Sequence, residues 1–189
     1  CALPISADSV DERIDWQRLR ETVELAVHFL DNVVEVNKYP TPEIHEATHA
    51  TRKIGLGVMG FADLLFKLKV AYDSDEALQL ADRIGSFIQD AGSAASNRLA
   101  KDRGTFPAWK GSVWDTQYDG KLMRNAHVAT IAPTGTISII AGCSSGIEPL
   151  FSRAFTRQVL GGKKLIEVNP VFEAALSGHI ADDSRIQQI

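Results

Sequence analysis

Ala129-Thr130-Ile131-Ala132-Pro133-Thr134-Gly135-Thr136-Ile137-Ser138 is the stretch on which the reading of this chain turns. Residues 126–132 read as a short strand, and Pro133 closes it. The turn Pro133-Thr134-Gly135-Thr136 then feeds Ile137-Ser138-Ile139-Ile140, a short helix. A strand, a glycine turn and a helix start in that order make an anion site. Glycine admits a close approach to the backbone, and the first N–H groups of a helix point outward with its dipole behind them. The hydroxyls of Thr134, Thr136 and Ser138 can add hydrogen bonds. Spacing alone leaves an ordinary threonine-capped turn open as well.

Downstream, Gly142-Cys143-Ser144-Ser145-Gly146 is a second small-residue turn, followed by Ile147-Glu148-Pro149. Cys143 there is either a small packed thiol or a nucleophile, and the second role needs a base and a depressed pKa. Residues 153–168 read as a hairpin around Gly161-Gly162, and Asn169-Pro170 opens a last helix.

Upstream the chain is helical. Asp15 can cap a helix whose stripe is Trp16, Leu19, Val23, Ala26, Val27, Leu30, Val33, Val34 and Asn37, and Pro40 and Pro42 end it. Residues 54–69 are expected to form a helix with Gly55, Gly57 and Gly60 in its early turns. Asp73 with Glu76 resembles a capping box, opening a helix with the stripe Ala77, Ala81, Ile84, Ile88, Ala91, Ala95 and Leu99. Gly104 fits a left-handed C-terminal cap. Residues 105–124 connect this helical part to the strand.

Two patterns invite functional readings that their surroundings do not support. Gly55-Leu56-Gly57-Val58-Met59-Gly60 matches the dinucleotide fingerprint, but the preceding polar residues do not read as a buried parallel strand. His45 and His49 are spaced for one helix face, yet no third ligand lies nearby, so no metal site is expected. His28 and His127 suggest nothing further.

Composition bounds the rest. The chain has 189 residues, 44% of them apolar, and 24 acids against 20 bases, for a net charge of −4. That excludes a disordered chain and gives no support to nucleic-acid binding. No apolar run is long enough to span a membrane, and no signal-peptide layout opens the chain, so a cytoplasmic protein is expected. The cysteines, Cys1 and Cys143, are no disulfide framework. A chain that starts at Cys1 is expected to be processed or a fragment.

The stretch Arg52-Lys53-Ile54-Gly55-Leu56-Gly57-Val58-Met59-Gly60-Phe61-Ala62-Asp63 is distinctive, as are residues 129–138 and Gly142 to Phe151. All resemble the large catalytic subunit of ribonucleotide reductase, most of all its adenosylcobalamin-dependent class, from about Asp15 to about Ala175. The resemblance implies an α/β fold: the C-terminal part of a ten-stranded α/β barrel, helix-rich over its first 105 residues. On this reading residues 1–189 are a single partial domain, with a helical half at 15–104 and a strand and phosphate-loop half at 105–176. It implies that Thr134, Gly135, Thr136, Ile137 and Ser138 hold the substrate phosphate, and that Cys143, Gly146, Ile147, Glu148 and Pro149 line the same pocket. It makes the glycine-rich segment a barrel helix.

The implied reaction removes the 2′-hydroxyl of a ribonucleoside di- or triphosphate through a cysteine thiyl radical. Adenosylcobalamin is the radical source and a thioredoxin-like protein the reductant, with neither nucleic acid nor membrane as a partner. The family's radical cysteine lies in an Asn-x-Cys-x-Glu motif that does not occur here. No catalytic residue is therefore assigned, and the isolated chain is expected to be inactive without the N-terminal remainder of the reductase. Two alternatives stand beside this reading: a non-catalytic half of a split reductase, and a fragment of a metal-radical reductase.

Overall fold

The structure, a computed structural model, describes residues 13–150, 152, 154–158 and 164–177. The expectations for Cys1, for Phe151 and for the Gly161-Gly162 turn lie outside the described residues, as does the tail beyond Ser177. The chain divides into two compact units, one from 1–57 with 79–132, the other from 58–78 with 133–189.

The first unit is built on helices. Helix α1 (Trp16–Val36) starts where Asp15 accepts a 2.9 Å hydrogen bond from the Arg18 amide. Val23, Val27 and Val34 of the expected stripe are buried, while Val33 and Asn37 face outward. Thr41 caps α2 (Pro42–Thr51), with Pro42 in the first turn, where its missing N–H costs nothing. Most of α4 (Asp75–Arg103) belongs to this unit. Its buried side is Leu80, Ile84, Ile88, Ala91, Ala95 and Ala100. The small stripe allows close approach: a Cβ on Gly92 would lie 2.7 Å from Val128 Cγ1. The helix is capped by Ser74, whose Oγ accepts from the Ala77 amide, rather than by Asp73. Gly104 follows at φ +82, as a left-handed cap requires. A 3-10 turn (Pro107–Trp109) and α5 (Val113–Thr116) fill the connection. Trp109 and Trp114 pin it, their indole N–H groups donating to the carbonyls of Lys121 and Ala126.

The glycine-rich segment departs from the expected helix. Residues 54–57 are extended and run parallel to 127–130. The Ile54 amide donates to His127 O at 3.0 Å, Leu56 to Val128 O at 2.8 Å, and Thr130 back to Leu56 O at 2.9 Å. The expected strand at 126–132 is therefore extended but makes one parallel bridge, Leu56 with Ala129. Glycine is a poor helix former, and here it serves close packing instead. A Cβ on Gly57 would stand 2.6 Å from Thr130 O, and one on Gly55 2.8 Å from Thr130 Cγ2.

A buried ionic cluster sits in this unit. Asp31, fully buried on α1, accepts from Arg52 Nε and Nη2 at 3.0 and 2.8 Å, from Asn125 Nδ2 at 3.1 Å and from Arg103 Nη1 at 3.2 Å. Arg124 Nε comes within 3.4 Å of the same carboxylate. Arg52 also reaches Glu35 at 2.8 Å. Burial pushes the Asp31 carboxyl up, but the hydrogen bond and charge of Arg52, with Arg124 and Asn125, outweigh it and hold the group below its ordinary value.

The second unit contains α3 (Phe61–Leu68), α6 (Gly135–Ala141), an antiparallel hairpin of β1 (Ala154–Gln158) and β2 (Lys164–Val168), and α7 (Pro170–Ser177). Ala154 opposes Val168 in the hairpin. Helix α7 packs on α3, with Phe66 and Phe172 edge to face at 6.2 Å. Among the described residues, strand structure is limited to this hairpin and the Leu56–Ala129 bridge, so the chain is helix-rich and these residues close no barrel. No helix among them is long and apolar enough to cross a membrane.

Candidate functional site

The site lies in the second unit and is assembled from α6, the loop that follows it, and the Asn169 turn. Helix α6 begins after Thr134, which takes the left-handed conformation at φ 55 and ψ 28. A β-branched residue adopts it at a cost of about 1–2 kcal/mol. Two hydrogen bonds hold it there: Thr134 O accepts from the Ser138 amide at 2.9 Å, and Thr134 Oγ1 from the Gly146 amide at 2.7 Å. No side chain caps the helix, so the first-turn amides of Gly135, Thr136 and Ile137 face outward on exposed residues.

Beside them lies a pocket of about 350 Å³. It is at the small end of the range for ligand sites, ~300–1,000 Å³. Of the expected phosphate residues, Gly135 and Ser138 line it, whereas Thr134, Thr136 and Ile137 do not. Of the expected pocket residues, Cys143, Glu148 and Pro149 line it. Gly146 and Ile147 stand behind the wall: Gly146 is buried on Thr134, and Ile147 O accepts from the Tyr72 hydroxyl at 2.7 Å. Ser138 is buried, and its Oγ bridges to Gly135 O at 3.1 Å and Ser145 Oγ at 3.0 Å.

Among the described residues, the lining carries no Lys or Arg, so an anion there would meet amides and hydroxyls rather than side-chain cations. Burial raises the Cys143 thiol above its ordinary value, and the Asp63 carboxylate raises it further. Cys143 is thus a neutral thiol near pH 7, not an activated nucleophile.

The glycine-rich segment leads into this unit as a support, not as a dinucleotide site. Gly60, at φ +83, turns the chain into α3. The amides at the entry to α3 are taken: Gly60 N donates to Ser144 O at 2.8 Å, Phe61 N to Gly146 O at 3.3 Å, and Asp63 N to Ser144 Oγ at 3.3 Å. Asp63 stands in the glycine-rich motif with no role that its neighbours reveal, and Asn169 stands out in the sequence only as a helix start. Both proximity relations are long-range, 81 residues from Asp63 to Ser144 and 106 to Asn169, and local pattern carries no signal of them.

Among the described residues the histidines gather no ligand set. His45 and His49 stack on α2 at 4.0 Å with Tyr39 edge-on to both. His28 Nε2 meets Arg103 Nη2 at 2.8 Å. Among the described residues no group of three or more His, Cys, Asp or Glu side chains could hold a metal.

The vitamin B12-dependent ribonucleoside-diphosphate reductase of Thermoplasma acidophilum is 57% identical over 162 residues, covering 86% of this chain and 21% of its own length. The enzyme of the same name from Mycobacterium tuberculosis is 53% identical over 163 residues, covering 86% and 23%. The ribonucleoside-diphosphate reductase subunit alpha of Chlamydia muridarum is 39% identical over 189 residues, covering 82% and 18%. The chain thus spans about a fifth of the length of these relatives. Residues 2–122 and 119–189 match the family described as ribonucleotide reductase, barrel domain, and the chain belongs to that family.

Proposed function

We propose that this chain is part of a ribonucleotide reductase, and that it supplies the phosphate site for a ribonucleotide reduced to its 2′-deoxy form. The observation that carries the reading is the uncapped start of α6, with Gly135 and Ser138 opening on the pocket. The family model covers both compact units, which supports treating them as one partial domain of a ten-stranded α/β barrel. On this reading Gly135, Thr136 and Ile137 offer amides, Thr134 and Ser138 fix the turn, and Cys143, Glu148 and Pro149 form the sugar-side wall. Oriented hydrogen-bond donors fix the ribose for chemistry done elsewhere in the enzyme.

The names of the two most similar relatives above support adenosylcobalamin as the radical source of the intact enzyme, which supplies the initiating radical when bound. Their identities of 57% and 53%, against 39% for the chlamydial subunit, whose name mentions no vitamin B12, support this class. A pocket of about 350 Å³ fits a phosphate and its sugar but not a corrin. We therefore assign the cofactor, with the thioredoxin-like reductant and the radical cysteine, to the remainder of the reductase.

Gly135→Asp in the full-length enzyme tests the site. A Cβ there meets nothing within 4 Å, and an acid in the first turn favours the helix dipole, so the fold is unharmed. A like charge at ~5 Å in an effective dielectric of ~20 costs ~3 kcal/mol before screening. Binding of a ribonucleoside diphosphate should weaken at least about tenfold, more for the diphosphate than the monophosphate, and less at high salt. Unchanged affinity would sink the phosphate reading.

A further inference from the structure

We propose that Asp63 is a positioning residue for this pocket, setting where its walls Ser144 and Asn169 stand; this rests on the phosphate-site reading above. Asp63 lies in the first turn of α3, is buried, and does not itself line the pocket. One carboxylate oxygen, Oδ2, accepts from the Ser144 amide at 2.7 Å. The other, Oδ1, accepts from Asn169 Nδ2 at 3.0 Å. The Asp63 amide returns a bond to Ser144 Oγ at 3.3 Å. Ser144 and Asn169 both line the pocket.

The donor pattern explains why a carboxylate stands there. Asn169 uses its own oxygen to cap α7, accepting from the Val171 and Phe172 amides at 2.8 and 3.0 Å. Its amide group therefore points at Asp63 and cannot turn round without uncapping α7. Ser144 presents a backbone N–H, which has no alternative role as acceptor. Two fixed donors converge on one side chain, and only a group that accepts on both oxygens serves them. An asparagine at 63 must aim its NH₂ at one of the two. The donor it faces then lacks a partner, and that wall of the pocket shifts.

The same logic supplies a repair. In Asp63→Asn combined with Asn169→Asp, the amide side chain at position 63 would accept from Ser144 N and donate to position 169, where the carboxylate still caps α7. Every hydrogen bond of the set is restored with the charge moved across it.

The test uses the full-length reductase with a ribonucleoside diphosphate as probe, reading equilibrium Kd together with kcat and KM. Asp63→Asn should raise Kd and KM about tenfold, the order expected for one lost hydrogen bond to a charged group, with kcat changed less. Asn169→Asp alone sets two carboxylates face to face and should be as weak. The double variant should return to within about threefold of the parent, a recovery that loss of general stability cannot produce. Normal binding by Asp63→Asn, or a double variant as weak as the single, overturns the proposal. Should Asp63→Asn not fold, the double variant carries the test alone: folded and binding supports it, unfolded or weak overturns it. Gly135→Asp, measured alongside, separates the two failures. Impaired binding there with normal binding in Asp63→Asn overturns this inference alone, while normal binding there overturns the phosphate reading and this inference with it.

Discussion

Replacing Asp31 by asparagine should loosen the first unit by about 3 kcal/mol, the low end of the cost of breaking a buried ion pair. Asp31 is fully buried, and one of its oxygens accepts from Arg52 twice and from Asn125 once. Arg103 reaches the other oxygen, and Arg124 approaches the same carboxylate. Whichever way an asparagine is turned, its NH₂ faces at least one guanidinium. The cost stays at the low end because Arg52 keeps Glu35 at 2.8 Å and the Asp31 carbonyl at 3.1 Å. Hydrogen exchange in the full-length reductase reads the effect locally, in peptides spanning 27–36 and 124–130. An opening made easier by ~3 kcal/mol speeds exchange about a hundredfold, at 1.4 kcal/mol per factor of ten. Acceleration below about fivefold, or acceleration spread evenly over the second unit, would refute the argument that this carboxylate holds α1 to the Arg52 and Asn125 segments.

Three more outcomes follow from the same structure. Asp31 sits below its ordinary pKa in the folded state, so its stabilising contribution is present above the ordinary value of 3.8 and is lost as pH falls through the lower folded value; protection of residues 27–36 should fall only as pH drops below that ordinary value, and Asp31→Asn should shrink that drop. Gly57→Ala puts a Cβ 2.6 Å from a backbone oxygen and should cost about 1–3 kcal/mol by melting, while Gly85→Ala in α4, where a Cβ meets nothing within 4 Å, should gain about 0.5–1 kcal/mol. The Cys143 thiol titrates above its ordinary 9.0, so alkylation of its peptide, followed by mass spectrometry, should rise only in strongly alkaline buffer, and Asp63→Asn should move that rise to lower pH by removing the neighbouring negative charge.

What the sequence made legible is what short-range physics controls. The Asp15 cap, three of the buried valines of α1, the Gly104 terminus, the short helix after Thr134 and the Asn169 start all follow from caps, periods and breakers a few residues apart. The glycine-rich segment reads as helix because its apolar residues suit either period, whereas the helix starts only at Phe61. What decides it is a partner far along the chain: the His127 and Val128 carbonyls take the Ile54 and Leu56 amides. Asp31 was missed for a related reason. It stands on the buried side of α1 among Val23, Val27 and Val34, and only the three arginines from other segments make a carboxylate tolerable there. Of the expected site, the loop identities were legible, but which residues face the pocket was not. That depends on how the 142–149 loop folds over α6, where Gly146 and Ile147 turn inward while Cys143 and Glu148 turn to the cavity.

The glycine-rich segment runs on into the unit that holds the proposed phosphate turn. Its glycines at 55 and 57 let the extended backbone lie against Thr130, just ahead of the turn at 133–136. Gly60 then turns the chain into α3 at φ +83, a conformation that side chains resist. That turn aims the α3 amides at Ser144 and Gly146, and Asp63 adds its carboxylate to the first of them. Gly146 in turn holds Thr134 in its strained conformation, at the start of α6. The strain at Thr134 is thus stabilised by a chain of hydrogen bonds that begins at Gly60, far upstream in the sequence. Gly60→Ala adds backbone strain and brings a Cβ to 3.4 Å from Cys143 Cβ. It should therefore weaken nucleoside diphosphate binding by about the same factor as Asp63→Asn, on the order of ten, although position 60 itself does not line the pocket. Equal loss in Gly60→Ala and in Gly57→Ala would contradict this, since only Gly60 lies on the path from α3 to Thr134.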